Sequence, residues 1–445
     1  DLQEILSLEP DAQGVHEDEL LHLCRDIVTY SVQTCHPHFK NQLYGGTDPY
    51  GLAGAWLAEA LNTNIHTYEV APVFVLVEHA VLQHVLNIFG FPNGDGIFAP
   101  GGSMSNMYGM VLARYKAIPD SKVKGLSGLP PLVVFASEDG HYSVKKAAHW
   151  LGIGTENVIL VKTDCYGKMI PSDLICCIQQ TIMEGKKPFF VSATAGTTVL
   201  GAFDPLEQLA DVCQQYGLWL HVDACWGGTL MLSKKYCHCL KGLDRVDSVA
   251  WNPHKMLGAP LQCAMFLTKE KVVDHQLLLS MCNLFVNSVQ YIFSCSIRDK
   301  SVQCGRKVDA FKLWLMWKAR GSSEFESLIN DAMDASRYLK ERIQARPGFR
   351  LVLDEFECTN VCFWFIPPSL RGQEENEEWW DKIHNVAPKI KEKLILSGTL
   401  MIGYQPLPHR GLKNFFRFVT SCHPSPSYAD MDHVWQDIER HGADL

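Results

Sequence analysis

The chain has 445 residues, of which 47% are hydrophobic and 20% charged, and its formal net charge is −9. This length exceeds what one hydrophobic core usually holds, and the composition is that of a globular protein, so we expect two or three domains rather than a disordered chain. The negative charge disfavours a general nucleic-acid binder, which normally carries a basic face.

The sequence lacks membrane, secretory and zinc signals. No apolar run is long enough to span a bilayer, and Asp1-Leu-Gln-Glu lacks the basic and apolar regions of a signal peptide. Sixteen cysteines without such a signal are typical of a reducing compartment, so we expect a cytoplasmic protein without membrane or nucleic-acid partners. The cluster Cys237-His238-Cys239 lacks the paired C-x2-C spacing of structural zinc sites, and no metal is expected.

The N-terminal part is predicted to be helical. Residues 1 to about 40 show a helical pattern with an apolar stripe that includes Leu20, Leu21 and Ile27, and the pattern ends near Pro37. The polar, glycine-containing loop Asn41-Gln42-Leu43-Tyr44-Gly45-Gly46 follows and is of the kind that lines binding sites. Further helices are predicted from about Gly51 to Leu61 and from about Pro72 to Phe89.

Another helix opens at Pro100-Gly-Gly-Ser-Met-Ser-Asn106. Small residues at a helix start expose backbone N–H groups at the positive end of the helix dipole, which makes an anion site. Two glycines and two serines here fit a phosphate-binding turn. The alternative is a simple N-cap by Ser103, and the residues favour the two interpretations equally.

From residue 131 onward, apolar β-rich segments alternate with helical patterns or turns. This alternation is typical of a doubly wound, mainly parallel sheet. No G-x-G-x-x-G follows the first strand, which argues against a dinucleotide. The predicted strands are Pro131–Ala136, Val158–Lys162, Phe189–Thr194, Leu218–Val222, Ser248–Trp251 and Cys263–Leu267.

Several of these strands end in polar residues. The carboxyl ends of parallel strands share one edge of the sheet, where ligands bind. The polar residues in question are His141, Thr197, Asp223, Asn252, His254 and Lys255. Each residue taken alone also has a purely structural interpretation, such as a helix cap for Asp223 or a turn for His141 and Thr197. Their joint occurrence with a phosphate-type helix start favours a cofactor site.

The last third of the chain is predicted to be a separate α+β piece. Residues 305 to about 345 show a helical pattern that is apolar on more than one face and therefore buried. Strands are predicted near Arg350–Leu353, Asn360–Phe365 and Phe415–Val419, with a final helix near Tyr428–His441.

A lysine, an aspartate, a histidine and a phosphate-binding turn are the groups that a pyridoxal-phosphate site needs. A lysine amine holds an aldehyde as a Schiff base. An aspartate facing the pyridine nitrogen keeps that nitrogen protonated, so that the ring accepts electrons. A histidine can stack on the ring, and helix N-terminal amides and hydroxyls suit the phosphate.

With these residues in place, the sequence resembles the group II pyridoxal-phosphate decarboxylases. Within them it is similar to the branch acting on acidic amino acids, which comprises glutamate, cysteine sulfinate and aspartate decarboxylases. The resemblance runs from about Leu23 to Leu445. It rests on His36-Pro-His-Phe, Thr67-Tyr-Glu-Val-Ala-Pro-Val-Phe, Pro100-Gly-Gly-Ser, Gly196-Thr-Thr-Val-Leu-Gly-Ala-Phe-Asp-Pro, His221-Val-Asp, Asn252-Pro-His-Lys, Gln303-Cys-Gly-Arg and Asn414-Phe-Phe-Arg.

The resemblance implies an α/β, aminotransferase-like fold (PLP fold type I) with a mainly parallel sheet and a small C-terminal α+β domain. It also implies a homodimer with its sites at the subunit interface. The chain would then comprise an N-terminal helical dimerisation segment at residues 1–65, a large PLP-binding domain at 66–325 and a small domain at 326–445.

The resemblance also implies roles for individual residues. Lys255 corresponds to the Schiff-base lysine, Asp223 to the partner of the ring nitrogen, and His141 to the stacking histidine. Thr197 matches a threonine near the ring. The positions implied on the phosphate side are Ser103, Met104, Asn252 and His254, with Gly305 supplied by the neighbouring subunit. Gln42 and Arg417 correspond to substrate-binding positions, and an arginine can bind a carboxylate through two hydrogen bonds.

Two segments depart from the family pattern. Cys225 stands where the family usually has alanine, so an oxidisable thiol would face the cofactor. Between Phe293 and Asp299 only Ser294-Cys-Ser-Ile-Arg298 intervenes, whereas the family carries a longer loop with a proton-donating tyrosine. If this loop is truly short, transamination or amine oxidation would compete with decarboxylation. A non-catalytic dimeric paralogue that binds PLP is then the alternative function.

The substrate prediction rests on the loop after Gln42 and on His66. Leu43-Tyr44 is similar to the cysteine sulfinate and aspartate branch rather than the glutamate branch. His66 stands where glutamate enzymes tend to carry Phe and cysteine sulfinate enzymes Tyr. A partly charged imidazole would favour a short acidic side chain, and a dimer contact is the alternative. The predicted reaction is α-decarboxylation of cysteine sulfinate to hypotaurine or of aspartate to β-alanine, with glutamate decarboxylation to GABA as the alternative.

Overall fold

The computed structural model describes residues 2–6, 8–10, 12–271 and 300–445. The short loop predicted between Phe293 and Asp299 lies outside these ranges. Within them, no helix is both long enough and apolar enough to cross a membrane.

The strands fall into two sheets. In chain order they are β1 Phe39–Lys40, β2 Asp95–Ala99, β3 Leu132–Ser137, β4 Val158–Val161, β5 Lys187–Thr194, β6 Trp219–Asp223, β7 Ser248–Trp251, β8 Ala264–Thr268, β9 Phe349–Leu351, β10 Asn360–Phe365, β11 Met401–Leu407 and β12 Leu412–Val419. The larger sheet has the order β2-β8-β7-β6-β5-β3-β4, and the smaller has the order β1-β11-β12-β10-β9.

Helices connect and cover these strands. The α-helices described are Leu2–Ile5, Glu17–Tyr30, Pro49–Leu61, Pro72–Ile88, Gly102–Ala117, Ser121–Lys124, Ser143–Trp150, Pro171–Met183, Leu206–Tyr216, Asp309–Gln344, Glu377–His384, Val386–Ser397 and Tyr428–Gly442. The longest of them breaks at Gly321, whose φ of 70° is left-handed and suits glycine.

The larger sheet confirms the predicted α/β fold. Strands β4, β3, β5, β6 and β7 run parallel to one another, whereas β8 is antiparallel to both β7 and β2. All six residues of β3 are buried, as expected for a parallel strand covered by helices on both faces. The sequence did not predict β2, because Asp95 and Gly96 leave only three apolar residues in that strand.

The smaller sheet confirms the predicted C-terminal α+β piece. β12 pairs antiparallel with both β10 and β11, and β1 joins the edge parallel to β11. The prediction missed β11 because Pro406 interrupts its pattern, and the strand register shifts between Gln405 and Leu407. It also missed the helices at Glu377–His384 and Val386–Ser397.

The N-terminal helix is shorter than the sequence predicted. It begins at Glu17 and ends at Tyr30, with Ser31 already extended at its C-cap, and β1 follows at Phe39. The helical prediction is therefore wrong for the described residues 8–10, 12–16 and 31–36. The apolar stripe of this helix is about half exposed at Leu20, Leu21 and Ile27. The described part of the same chain therefore leaves no residue of this helix fully buried.

Candidate active site

A cavity of about 240 Å³ opens at the carboxyl ends of β5, β6 and β7. Thr194 and Asp223 end two of these strands, and Asn252 follows the third, so neighbouring strands deliver polar groups to one place. The sequence-predicted residues that line it are Ser103, His141, Asp223, Cys225, Asn252, His254 and Lys255. The structure thus gathers residues that lie up to about 150 positions apart in the chain, as expected for this edge of an open sheet.

Lys255 reaches the cavity from a turn after β7. All four residues of β7 are buried, and the Lys255 N–H donates to the carbonyl of Asn252 at 3.0 Å. This turn leaves Lys255 half-buried directly after a fully buried strand. The Lys255 side chain therefore enters the cavity lining from a turn anchored to that strand.

Asp223 is the buried carboxylate of the site. Its Oδ2 accepts a hydrogen bond from Asn106 Nδ2 at 2.7 Å, and its Oδ1 accepts one from the Cys225 N–H at 3.1 Å. Burial favours the neutral acid, but the charge of Lys255, the nearby His141 ring and these hydrogen bonds outweigh burial and lower the pKa of Asp223 below its usual value. The carboxylate is therefore ionised at neutral pH.

Two histidines line the same cavity. His141 Nδ1 accepts from the Ser143 N–H at 3.2 Å, and burial lowers the pKa of His141 despite the nearby Asp223. His254 packs against Cys263, whose N–H lies 3.0 Å from His254 Nδ1, and burial lowers the pKa of His254 to about 4. Both rings are thus predominantly uncharged at neutral pH.

The Gly102–Ala117 helix begins at the cavity, where its first backbone N–H groups have no side-chain cap. Gly101 is the N-cap, with a φ of 131°, and Ser103 lies inside the first turn, so the N-cap interpretation of Ser103 is wrong. A Cβ on Gly102 would overlap Cys225 Sγ and lie 2.9 Å from Asn252 Nδ2. Glycine is therefore needed here for the close approach of the helix start to the strand ends.

Six predicted site residues do not line the cavity: Met104, Thr197, Gln42 and Gly305, and also His66 and Arg417, which are described below. Met104 packs with the apolar residues of its own helix, and Thr197 Oγ1 accepts a hydrogen bond from the Ala202 N–H at 3.0 Å, although its neighbours Gly196 and Thr198 do line the cavity. Gln42 and Gly305 are exposed. Their predicted roles stay predictions.

His66 lies beside the segment that contains Gly305. Asn64, two residues earlier, accepts from the Arg306 N–H at 2.9 Å and donates to the carbonyl of Cys304. His66 is half-buried and is not part of the cavity lining. Its predicted role in substrate choice stays a prediction.

Arg417 lies on β12, beside the cavity rather than in its lining. Its guanidinium donates to the carbonyl of Thr198 at 3.2 Å and to the carbonyl of Asn41 at 2.9 Å. The residue is 8% exposed, and burial lowers its pKa. Across the described ranges no Asp or Glu forms an ion pair with it, and its Nε has no hydrogen-bond partner.

The sequence prediction assigned no role to Asn106 or Tyr142, which also line the cavity. Asn106 bridges Asp223 and Ser143 Oγ through its side-chain amide, and the Tyr142 ring lies 4.1 Å from that of His141. The sequence does indicate that Asn106 lies near the site, because it follows Gly102 by four residues and therefore shares its helix face. Its contact with β6 was not readable from the sequence.

Comparison with known proteins identifies the family. The family described as "pyridoxal-dependent decarboxylase conserved domain" matches residues 2–366. The chain is 52% identical over 447 residues to the acidic amino acid decarboxylase GADL1 of Bos taurus, covering 100% of this chain and 85% of the relative. It is 50% identical over 451 residues to the cysteine sulfinic acid decarboxylase of Homo sapiens, covering 100% of this chain and 90% of the relative.

Solved structures of related proteins have the same fold as this chain. The crystal structure of mouse CSAD in apo form superimposes with a TM-score of 0.95 at 49% identity, covering 100% of this chain and 92% of that one. The structure of Oryza sativa TDC with PLP and tryptamine has the same fold, with a TM-score of 0.89 at 22% identity, covering 99% of this chain and 91% of that one. On these findings the chain belongs to the pyridoxal-dependent decarboxylase family, as an amino acid decarboxylase whose cofactor is pyridoxal phosphate.

Proposed function

We propose that this chain catalyses the α-decarboxylation of a short acidic amino acid, cysteine sulfinate or aspartate. The observation that carries the proposal is Arg417, a buried guanidinium beside the cavity that has no acidic partner in the described ranges. A buried cation without a counter-charge is costly, and an anionic ligand would relieve that cost. Thr198, whose carbonyl accepts from Arg417, lines the cavity, so a bound acidic substrate would lie within reach.

The cavity residues fit pyridoxal phosphate. When bound, this cofactor supplies an aldehyde that captures amines and a ring that accepts the electron pair of the breaking bond. Lys255 offers the amine for the aldehyde, and the ionised Asp223 would hold a proton at the ring nitrogen. Asn252 Oδ1 is buried without a hydrogen-bond partner in the described part of the chain, which leaves a polar atom for a ligand.

The phosphate would bind at the start of the Gly102–Ala117 helix. Its backbone N–H groups lack a side-chain cap and point toward the cavity that Ser103 and His254 also line. His141 would cover one face of the ring. Met104, Thr197 and Cys225 complete the proposed cofactor site, with Gly305 contributed by a second subunit.

Two relatives named for acidic substrates support the substrate class. They are the acidic amino acid decarboxylase and the cysteine sulfinic acid decarboxylase, at 52% and 50% identity. We assign Arg417 and Gln42 to the substrate carboxylates and His66 to selection of the shorter acid. Gln42 follows Asn41, whose carbonyl accepts from Arg417 at 2.9 Å, so the two proposed substrate residues are neighbours.

Turnover of cysteine sulfinate, aspartate and glutamate in parallel tests the substrate class. We expect kcat/KM for one of the two shorter acids to exceed that for glutamate by about tenfold or more, the usual discrimination for one methylene in a fitted pocket. A preference for glutamate would make the chain a glutamate decarboxylase. Absence of turnover with all three, despite cofactor binding, would favour the non-catalytic paralogue.

Substitution of Arg417 by glutamine is expected to raise KM for the acidic substrate by roughly 10- to 100-fold, because a hydrogen bond to a charged group contributes about 1.5–3 kcal/mol. Steady-state kinetics measures this change, and cofactor absorbance reports whether the site remains loaded. Arg350→Gln is the matched control, since Arg350 pairs with the partly exposed Glu375 on the same small domain. An unchanged KM in Arg417→Gln would remove Arg417 from the substrate site.

Substitution of Gly102 by alanine is expected to lower the affinity for pyridoxal phosphate by roughly tenfold or more, because an added methyl in a packed site usually costs about 1–3 kcal/mol. The physical cause is the overlap with Cys225 Sγ, so Cys225→Ala in the same chain should restore most of the loss. Titration of the apoenzyme, followed by absorbance, measures both. Gly14→Ala is the control, since a Cβ there meets nothing within 4 Å.

We further propose a homodimer with the site at the subunit interface, in which residues 1–65 form the dimerisation segment, 66–325 the PLP-binding domain and 326–445 the small domain. The half-exposed apolar stripe of the Glu17–Tyr30 helix supports the first of these assignments. The break at Gly321 lies near the second boundary. Sedimentation of the intact protein and of a Leu20→Glu, Leu21→Glu variant tests the dimer, and we expect the variant to shift toward monomer.

We place the enzyme in the cytoplasm. The cysteines among the described residues are all free thiols, including exposed ones such as Cys24 and Cys35. Free exposed thiols suit a reducing compartment.

A further inference from the structure

A chain of buried hydrogen bonds runs from Asp223 back through the large domain. Asn106 Nδ2 lies 2.7 Å from Asp223 Oδ2, and Asn106 Oδ1 lies 2.9 Å from His221 Nε2. His221 Nδ1 lies 2.8 Å from Ser248 Oγ, and Ser248 Oγ lies 2.8 Å from Trp219 Nε1. Of these five residues, only Asp223 belongs to the proposed cofactor site.

The local structure explains why these side chains meet. His221 and Asp223 are two positions apart on β6 and therefore face the same side of the sheet. Ser248 is the strand partner of His221 on β7. The Gly102–Ala117 helix crosses that face and presents Asn106. A Cβ on Gly109, three residues later, would lie 2.8 Å from His221 Nδ1, so glycine there leaves room for the imidazole.

The direction of each hydrogen bond in this series follows from Asp223 and from a neutral His221. The ionised carboxylate of Asp223 can only accept, so Asn106 donates its N–H to Asp223. Asn106 Oδ1 then accepts from His221 Nε2, which carries the proton of the neutral ring. Ser248 Oγ accepts from the indole N–H of Trp219, which can only donate, and donates its own hydrogen to the unprotonated His221 Nδ1.

A neutral His221 is required for this arrangement, and its surroundings provide one. His221 and Ser248 are fully buried, and Asn106 is 2% exposed. The imidazole lies between the rings of Phe190 and Phe266, with centroids 5.7 and 6.2 Å away. Burial lowers the pKa of His221 to about 4, against the opposing charge of Asp223. The uncharged ring therefore persists at neutral pH.

We propose that Trp219, Ser248, His221 and Asn106 are positioning residues that hold Asp223 ionised and oriented toward the ring nitrogen of the cofactor. Without His221 as donor, the Asn106 amide can turn its oxygen to the carboxylate, which would repel it and favour the neutral acid. Ser143 Oγ, 2.9 Å from Asn106 Nδ2, does not fix the amide, because a hydroxyl can donate as well as accept. This inference rests on the proposed role of Asp223.

A comparison of two ligands separates this role from simple packing. Apoenzyme is titrated with pyridoxal phosphate and with its carbocyclic analogue, in which C–H replaces the ring nitrogen. We expect wild-type protein to prefer pyridoxal phosphate and Asp223→Asn to lose the preference. His221→Phe, which keeps a ring between Phe190 and Phe266, should reduce the preference by about tenfold, the worth of a hydrogen bond to a charged group.

Two further variants complete the test. His221→Gln retains a donor for Asn106 and should restore most of the preference. Phe190→Leu removes packing from the same imidazole without touching a hydrogen bond, so it should weaken both ligands equally. If His221→Phe does not fold, Ser248→Ala replaces it, with a reduced preference again expected.

The outcomes distinguish this inference from the proposed function. Equal weakening of both ligands by His221→Phe, or an unchanged preference in Ser248→Ala, would overturn the positioning role while leaving Asp223 as the ring partner. Absence of any preference in the wild-type protein would overturn both the role of Asp223 and the inference built on it. A selective loss in His221→Phe with recovery in His221→Gln supports both.

Discussion

Replacement of Lys255 by alanine is expected to lower turnover by at least about a thousandfold, the scale on which a removed catalytic group acts. Lys255 supplies an amine to the cavity from a turn that a fully buried strand holds in place. No second lysine lines this cavity within the described ranges, so no described neighbour can take its place. The fold should survive, because the side chain is half-buried and enters no ion pair in those ranges.

The measurement combines steady-state turnover with mass spectrometry after borohydride reduction. Wild-type protein should carry the reduced cofactor on the peptide that contains Lys255, and the variant should carry none. Lys145→Ala, an exposed lysine on the nearby Ser143–Trp150 helix, is the control and should keep wild-type turnover. Wild-type turnover in Lys255→Ala would refute the assignment.

The second large effect concerns stability. Glu78→Gln is expected to lower the free energy of unfolding by about 3–5 kcal/mol, because it leaves the charge of Arg306 buried without its partner. Arg306 Nη2 lies 2.6 Å from Glu78 Oε1, and the two side chains are 3% and 5% exposed. Arg306 also donates to the carbonyls of Ile65 and Phe98. One guanidinium therefore contacts three segments of the chain, those that contain Ile65, Glu78 and Phe98.

Urea unfolding measures this loss. Glu59→Gln is the matched control, since Glu59 pairs with Lys307 at the same distance of 2.6 Å but with both side chains about two-thirds exposed. Screening by water makes such a pair nearly neutral for stability, so the control should unfold like the wild type. Equal midpoints for both variants would show that the buried pair does not stabilise the fold.

The edge of the large sheet that carries the cavity was predictable because its strands are short, apolar and sharply bounded. Ser248–Trp251 is entirely buried and ends just before Pro253, so both its position and the location of Lys255 followed from the pattern. The same holds for Trp219–Asp223, which places Asp223 at its last residue. Strand ends in a parallel sheet converge, and the convergence follows from the fold class alone.

Contacts between distant segments were not predictable from one sequence. The pairing of Asn106 with His221 depends on how the Gly102–Ala117 helix crosses β6, and neither residue has a local pattern that reports it. The addition of β1 to the C-terminal sheet was likewise not predictable, because a strand of only two residues, Phe39–Lys40, has no recognisable strand pattern of its own. Tertiary packing, rather than local propensity, determines both features.

Arg417 shows how residues of the two sheets come together beside the cavity. The residue belongs to the small sheet, yet its hydrogen bonds run to Thr198, after a strand of the large sheet, and to Asn41, just after β1. Its predicted function came from a motif, Asn414-Phe-Phe-Arg, whereas its missing acidic partner became visible only in the structure. That missing partner supports the binding of a substrate carboxylate, and the names of the two relatives support the acidic class.

The central claim is that this chain removes the α-carboxylate of a short acidic amino acid. The most direct test measures carbon dioxide and ammonia together during turnover of aspartate and of cysteine sulfinate by the holoenzyme. The account predicts one equivalent of carbon dioxide for each amine formed, with no ammonia, for at least one of the two acids. Ammonia release without carbon dioxide, or no turnover of either acid by fully loaded enzyme, would contradict it.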